Sequence, residues 1–246
     1  MTDEADRAAR PTDAGPLMVV DRPAAGVVML SLNRPAKNNA LSAALLTELD
    51  ALLRAWFDEP ATRAVVLTGT DPAFCAGVDL DGIAAGDDFP PDAIRRLRTA
   101  PVPVIAAVNG AAVTGGLELA LACDFRIGSE LARFADTHAR LGFTPAWGMA
   151  ARLPQAVGQA WARQISLTGS FVDAGTALRI GLLNEVVRHD RLIDRAVELA
   201  GLIARTDPET ARRIRDLYTI ARDGSGGEAL EAEARASHVT WDEPRT

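Results

Sequence analysis

The sequence predicts an α/β fold in which strands and helices alternate, followed by a region of helices alone. Three observations carry this expectation. Short, wholly apolar runs such as AVVLTG (64–69) and PVIAAVNG (103–110) have the length and composition of strands buried on both faces. Before the first of them, Leu45, Leu49, Leu52, Leu53, Trp56 and Phe57 recur at helical spacing. From about residue 148 the pattern turns almost wholly helical.

Residues 1–16 are polar, hold Pro11, Gly15 and Pro16, and read as a loose tail. LMVVD (17–21) and GVVMLSL (26–32) flank a Pro-Ala-Ala-Gly break and predict a hairpin. Ser42 is placed to cap a helix over 42–58, which stops at Glu59-Pro60. The strand 64–69 runs into an Asp71-Pro72 turn, and FCAGVDL (74–80) leaves it. Residues 81–91 read as loop, and a short basic helix follows over 92–99, with Arg95, Arg96 and Arg98 on a solvated face. The strand 103–110 ends in Asn-Gly, and Gly115-Gly116 precedes an apolar helix over 117–123. FRIGS (125–129) and ARFAD (132–136) read as two further strands. Helices are predicted over 148–164, 173–180, 190–205, 208–222 and 226–240, interrupted by one strand, LLNEVV (182–187). The chain thus divides into a tail (1–16), an alternating core (17–189) and a C-terminal helical region (190–246).

Composition removes several function classes. A net charge of -7 provides no global basic field for nucleic acid or an anionic membrane, although a local basic pocket for a small anion remains compatible with it. Lys37 is the only lysine among 26 basic residues. Cys75 and Cys123 are too few for a disulfide framework or a four-thiolate zinc site, and read as small core residues. The uncharged run Thr99 to Leu117 is broken by Pro101, Pro103, Asn109, Gly110, Gly115 and Gly116, which suits strand and turn rather than a membrane span. The charged N-terminus lacks an apolar signal core, and a cytoplasmic protein is expected. There is no phosphate-binding G-x-x-x-x-G-K-[ST] loop, no G-x-G-x-x-G turn and no G-x-S-x-G elbow. The histidines, at 138, 189 and 238, have no metal-ligand spacing.

Two glycine turns remain: Cys75-Ala76-Gly77-Val78-Asp79, and Thr114-Gly115-Gly116-Leu117-Glu118 at the opening of a helix. Glycine lets main-chain N–H groups approach a ligand, and a helix start adds unpaired donors. Two such donors from separate loops can form an oxyanion hole. In order and spacing, the stretches 31–42, 64–80, 101–134 and 167–187 resemble the enoyl-CoA hydratase/isomerase (crotonase) family.

That resemblance implies a spiral of ββα repeats over 17–189, with a C-terminal helical region that builds a homotrimer or a dimer of trimers. It also implies an acyl-CoA thioester as the small-molecule substrate, with coenzyme A entering as part of that substrate and no separate cofactor. No metal, nucleic acid or membrane partner is expected. The thioester oxygen would sit between the N–H groups of Val78 and Gly115. Ala76, Asp79, Leu80 and Asp81 would line the CoA site. Lys37, Asn39, Ala40 and Leu41 would lie by the adenine and phosphates, with Lys37 as a counter-charge. Glu118 matches one of the two glutamates of the family's hydratases.

The second glutamate is missing, and His138 stands in its place. Imidazole can donate or accept a proton near neutral pH, so acid/base chemistry is retained. Asp136, two residues earlier, would lie on the same strand face and is the alternative carboxylate. A second departure is the bulk of Trp147 and Met149, in a turn where the family has small residues; facing the acyl pocket, they would reshape it. The expected activity is addition of water to a trans-2-enoyl-CoA, with Glu118 deprotonating water and His138 delivering the proton at Cα. The alternatives are a double-bond isomerase on the same oxyanion hole and a non-catalytic acyl-CoA binding protein.

Overall fold

A computed structural model describes residues 15–224. The hairpin is formed by β1 (Met18–Ala24) and β2 (Val27–Leu32). Helix α1 (Ala43–Phe57) starts where expected, with the Ser42 hydroxyl accepting from the Leu45 N–H at 3.2 Å. Three ββα turns follow. The first is β3 (Ala64–Gly69), β4 (Ala73–Cys75) and the helices α2 (Leu80–Ala85) and α3 (Asp92–Arg98). The second is β5 (Val104–Val108), β6 (Ala111–Val113) and α4 (Gly115–Ala122). The third is β7 (Phe125–Ser129), β8 (Arg133–Ala135) and the short α5 (His138–Leu141). Then come α6 (Met149–Thr168), β9 (Val172–Asp173), α7 (Ala174–Arg179), β10 (Glu185–Val187), α8 (Leu192–Ala204) and α9 (Pro208–Asp223).

The first strand of each turn enters a six-stranded sheet of order β1-β2-β3-β5-β7-β10, parallel from β2 onward. The second strand enters a smaller sheet of order β4-β6-β8-β9. This double use of each turn generates the spiral and brings the ends of β4, β6 and β8 together.

The unbroken apolar runs follow from burial on both faces. In β3, Val65 and Leu67 join Leu45, Leu49 and Leu53 of α1 in the main core. Ala64 and Val66 point the other way, onto Leu192, Ala196 and Ala200 of α8. Neighbouring β5 repeats the division: Val104, Ala106 and Val108 face the main core, Ile105 and Ala107 face α8. Neither face meets water, so no polar alternation develops.

Six expectations need correction. Residues 80–85, which run into the expected loop 81–91, form α2: Asp79 Oδ1 accepts from the Asp81 N–H at 3.2 Å and Gly86 closes the helix with φ of 81°. Helix α4 begins at Gly115 rather than 117. Strand β8 ends at Ala135, so Asp136 and His138 share no strand face; the chain turns there into α5. Helix α6 runs on to Thr168, with a break at Gly158, and β10 takes only the second half of 182–187. Arg96 is not simply solvated: it bonds Asp50 at 2.7 Å and ties α3 to α1. The expected helix 226–240 and most of the N-terminal tail lie outside the described residues.

Candidate active site

The two glycine turns meet. Gly77 has φ of 97°, a conformation that glycine adopts without strain, and a Cβ on it would come within 2.9 Å of the Val113 carbonyl. The turn is fixed from the other side by Leu41, whose N–H donates to Gly77 O at 2.7 Å and whose carbonyl accepts from the Asp79 N–H at 2.9 Å. Gly116 packs so closely on the Cys75 carbonyl that a Cβ would overlap it. Gly115 lies beside Val78: a Cβ there would sit 3.4 Å from Val78 Cγ2. The N–H of Gly115 stands in the first turn of α4, where a helix has no internal acceptor for it. The structure therefore brings Val78 and Gly115 together as the sequence predicts.

Thr114, immediately before Gly115, has φ of 52° and ψ of -111°, a strained conformation for a β-branched residue. It is held by its N–H on Ala135 O at 2.8 Å and its hydroxyl on the Thr137 hydroxyl at 2.6 Å. Strain of this kind persists where surrounding bonds over-determine it, and it clusters at functional sites.

Glu118 points from α4 into the site and is 2% exposed. Its Oε1 accepts the main-chain N–H groups of Trp147 at 2.9 Å and Met149 at 3.1 Å. Its Oε2 lies 3.9 Å from His138 Nε2. Burial raises the carboxyl above its ordinary range, and this outweighs the opposing pull of the Met149 and Trp147 N–H groups and of His138.

His138 opens α5 and is braced from behind by Asp136. Asp136 Oδ1 lies 2.6 Å from His138 Nδ1 and accepts the His138 main-chain N–H at 3.2 Å. Asp136 is fully buried. Burial alone would raise its carboxyl, but the bonds from His138, with help from Ser166, hold it below the ordinary carboxylate range. Asp136, His138 and Glu118 thus form one polar line, and His138, not Asp136, is the member facing Glu118.

The remaining predicted residues separate into two groups. Asn39 and Asp79 are structural braces whose side chains turn inward. Asn39 Oδ1 accepts the Arg34 N–H at 2.8 Å, while its amide donates to the Thr70 and Ala73 carbonyls at 2.7 and 2.6 Å. Asp79 pairs with Arg34 at 2.9 Å, and Arg34 also donates to Ala40 O at 2.6 Å. Lys37, Leu80 and Asp81 are exposed at the rim, and Lys37 Nζ bonds Asp81 Oδ2 at 2.6 Å. Ala76 is half-buried in the turn, its N–H on Asn38 O at 3.0 Å. Arg34 was not among the predicted site residues; a guanidinium and a carboxylate 45 positions apart carry no local pattern.

Trp147 does more than fill space. A Cβ on Gly115 would lie 3.1 Å from Trp147 Cζ3, so the indole rests against the glycine that offers its N–H. Cys75 and Cys123 are buried, free thiols pushed up to about 12 by desolvation.

The model of a protein family described as enoyl-CoA hydratase/isomerase matches residues 22–245. A probable enoyl-CoA hydratase of Rhizobium meliloti is 39% identical over 215 residues, 85% of this chain and 84% of that protein. A short-chain-enoyl-CoA hydratase of Clostridium acetobutylicum is 38% identical over 196 residues, 74% of this chain and 73% of its own. The crystal structure of an enoyl-CoA hydratase from Bacillus anthracis superposes with a TM-score of 0.87 at 35% identity, covering 90% of each chain.

Proposed function

This chain belongs to the enoyl-CoA hydratase/isomerase family, and from that premise we propose that it adds water across the double bond of a trans-2-enoyl-CoA. The observation that carries the reading is the opposition of Glu118 Oε2 and His138 Nε2 at 3.9 Å beside the Val78–Gly115 pair. One water bonded to both atoms fits that separation, since each contact is then about 2.8 Å.

The thioester oxygen accepts from the N–H groups of Val78 and Gly115. Water attacks Cβ and passes a proton to Glu118, and the electron pair of the double bond moves into the thioester as an enolate. The two N–H groups stabilise that oxyanion, an effect typically worth about 10²–10³ in rate per donor. Protonated His138 returns a proton to Cα from Nε2. Atoms and charge balance, and the steps require neither metal nor redox cofactor; coenzyme A is part of the substrate.

Exposed Leu202, Ile214, Tyr218 and Ile220 on α8 and α9 support association of chains through the C-terminal helices, as a trimer or dimer of trimers. No helix among the described residues is long and apolar enough to cross a membrane. The free, buried cysteines support a reducing, cytoplasmic location.

Steady-state kinetics on crotonyl-CoA and a longer 2-enoyl-CoA, with 3-enoyl-CoA controls, test the proposal. Formation of the 3-hydroxyacyl product from 2-enoyl substrates is expected. Migration of the 3-enoyl double bond without hydration assigns an isomerase instead, and thioester binding without turnover assigns a binding protein.

A further inference from the structure

We infer that Asp136 is a positioning residue that sets the tautomer of His138, making Nε2 the one imidazole nitrogen that exchanges protons in the site. The inference rests on the acid/base reading of Glu118 and His138 and adds a third member to it.

The geometry leaves little freedom. Asp136 Oδ1 approaches Nδ1 at 2.6 Å and also accepts the His138 main-chain N–H at 3.2 Å, so one oxygen fixes both the ring and the backbone that carries it. The carboxylate is fully buried, and Ser166 adds to the support that His138 gives it. An ionised carboxylate can only accept, so Nδ1 must carry a proton. Nε2 then points at Glu118 Oε2 across 3.9 Å. It holds a lone pair in the neutral ring and a proton in the imidazolium. Both states are used when a proton passes through His138 in either direction.

The Asp136 support is matched on the opposite side. Glu118 Oε1 is occupied by two main-chain donors, which leaves Oε2 as its one exchangeable oxygen. Each partner of the acid/base pair therefore has one atom tied to the scaffold and one turned to the substrate. The turn from β8 into α5 creates this arrangement, because it places residues 136 and 138 where one side chain can reach the other's ring.

The test is Asp136→Asn, read in two ways. An asparagine amide that donates to Nδ1 moves the neutral ring's proton to Nε2. Nitrogen-15 NMR of the labelled ring should show Nδ1–H in the wild-type protein and Nε2–H in the variant. Hydration should lose about 10²-fold or more in kcat, KM should stay within about threefold, and the pH–rate profile should change shape. A neutral wild-type ring protonated at Nε2 rather than Nδ1 overturns the inference, as does a variant with wild-type kcat and pH profile. If the wild-type protein does not hydrate enoyl thioesters, the proposed function fails while the NMR result still decides the tautomer. Should Asp136→Asn not fold, wild-type NMR alone keeps the inference open to refutation.

Discussion

The main-chain N–H of Trp147 donates to Glu118 Oε1 at 2.9 Å. The residue whose side chain packs on Gly115 therefore also holds the buried carboxylate, through a main-chain N–H that every substitution except proline keeps.

Glu118→Gln separates these contributions. Glutamine retains an oxygen for the Trp147 and Met149 N–H groups but cannot take up a proton, so kcat should fall at least about 10²-fold with the fold intact. The raised carboxyl of Glu118 also makes a thermal prediction. The native state binds this proton more tightly than the unfolded chain, so the wild-type protein loses stability as pH rises above about 4.3 and through the raised value. Glutamine carries no such penalty. The Tm of Glu118→Gln relative to wild type should therefore increase from pH 4.5 to pH 8, and a difference that is flat or falls with pH contradicts this assignment.

The Arg34–Asp79 pair, at 2.9 Å, is buried on both sides and joins the 34–41 loop to the turn that carries Val78. Arg34→Met leaves the Asp79 carboxylate without its partner, and should cost about 3 kcal/mol. Adding Asp79→Asn removes the stranded charge, so the double variant should cost less than the sum of the two singles. A double-mutant cycle by urea denaturation measures this coupling. Strict additivity would show that the pair does not brace the turn.

Most of the fold was legible because its signals are local. β3 and β5 were evident from apolar runs, and α1 from Ser42 and the leucine spacing. Short elements escaped: α2 is only six residues, and its Asp79 cap and Gly86 stop resembled loop composition. Reading Asp136 and His138 as one strand failed because the end of β8 has no marker before Gly142, which closes α5. At the candidate site, Val78, Gly115, Glu118 and His138 were singled out through the family resemblance, and the structure places Gly115 against Val78 and Glu118 opposite His138. The Trp147 and Met149 N–H donors were not, because a main-chain donor leaves no trace in residue identity. The inward turns of Asn39 and Asp79 were equally hidden, since their partners come from distant segments.

At the rim, Lys37 and Asp81 bond each other at 2.6 Å in solvent-exposed positions. If Lys37 is the counter-charge for CoA, Asp81 competes with the phosphates for it. Lys37→Ala should weaken CoA binding about two- to fivefold and flatten its salt dependence, as expected for one exposed charge. Asp81→Asn should strengthen binding by releasing the lysine. Calorimetric titration with CoA at two salt concentrations reads both, and unchanged affinity in Lys37→Ala removes Lys37 from the site.

Trp147→Ala tests what the indole does. The ring rests where a Gly115 Cβ would lie 3.1 Å from Cζ3. If an acyl chain held beside Gly115 runs past the indole, the ring limits its length or branching. Removing it opens space beside Gly115, yet the main-chain N–H on Glu118 Oε1 stays in place. The acid/base pair should therefore survive, and the change should appear in substrate preference. Against a short 2-enoyl-CoA, kcat/KM should fall, because a small chain loses apolar contact worth about 1–3 kcal/mol, or roughly 10- to 200-fold. Against an eight- or ten-carbon chain it should hold or rise. A parallel loss on every chain length would show that the indole supports the fold of the α5–α6 turn rather than the acyl group. Circular dichroism and Tm identify that outcome independently of the assay.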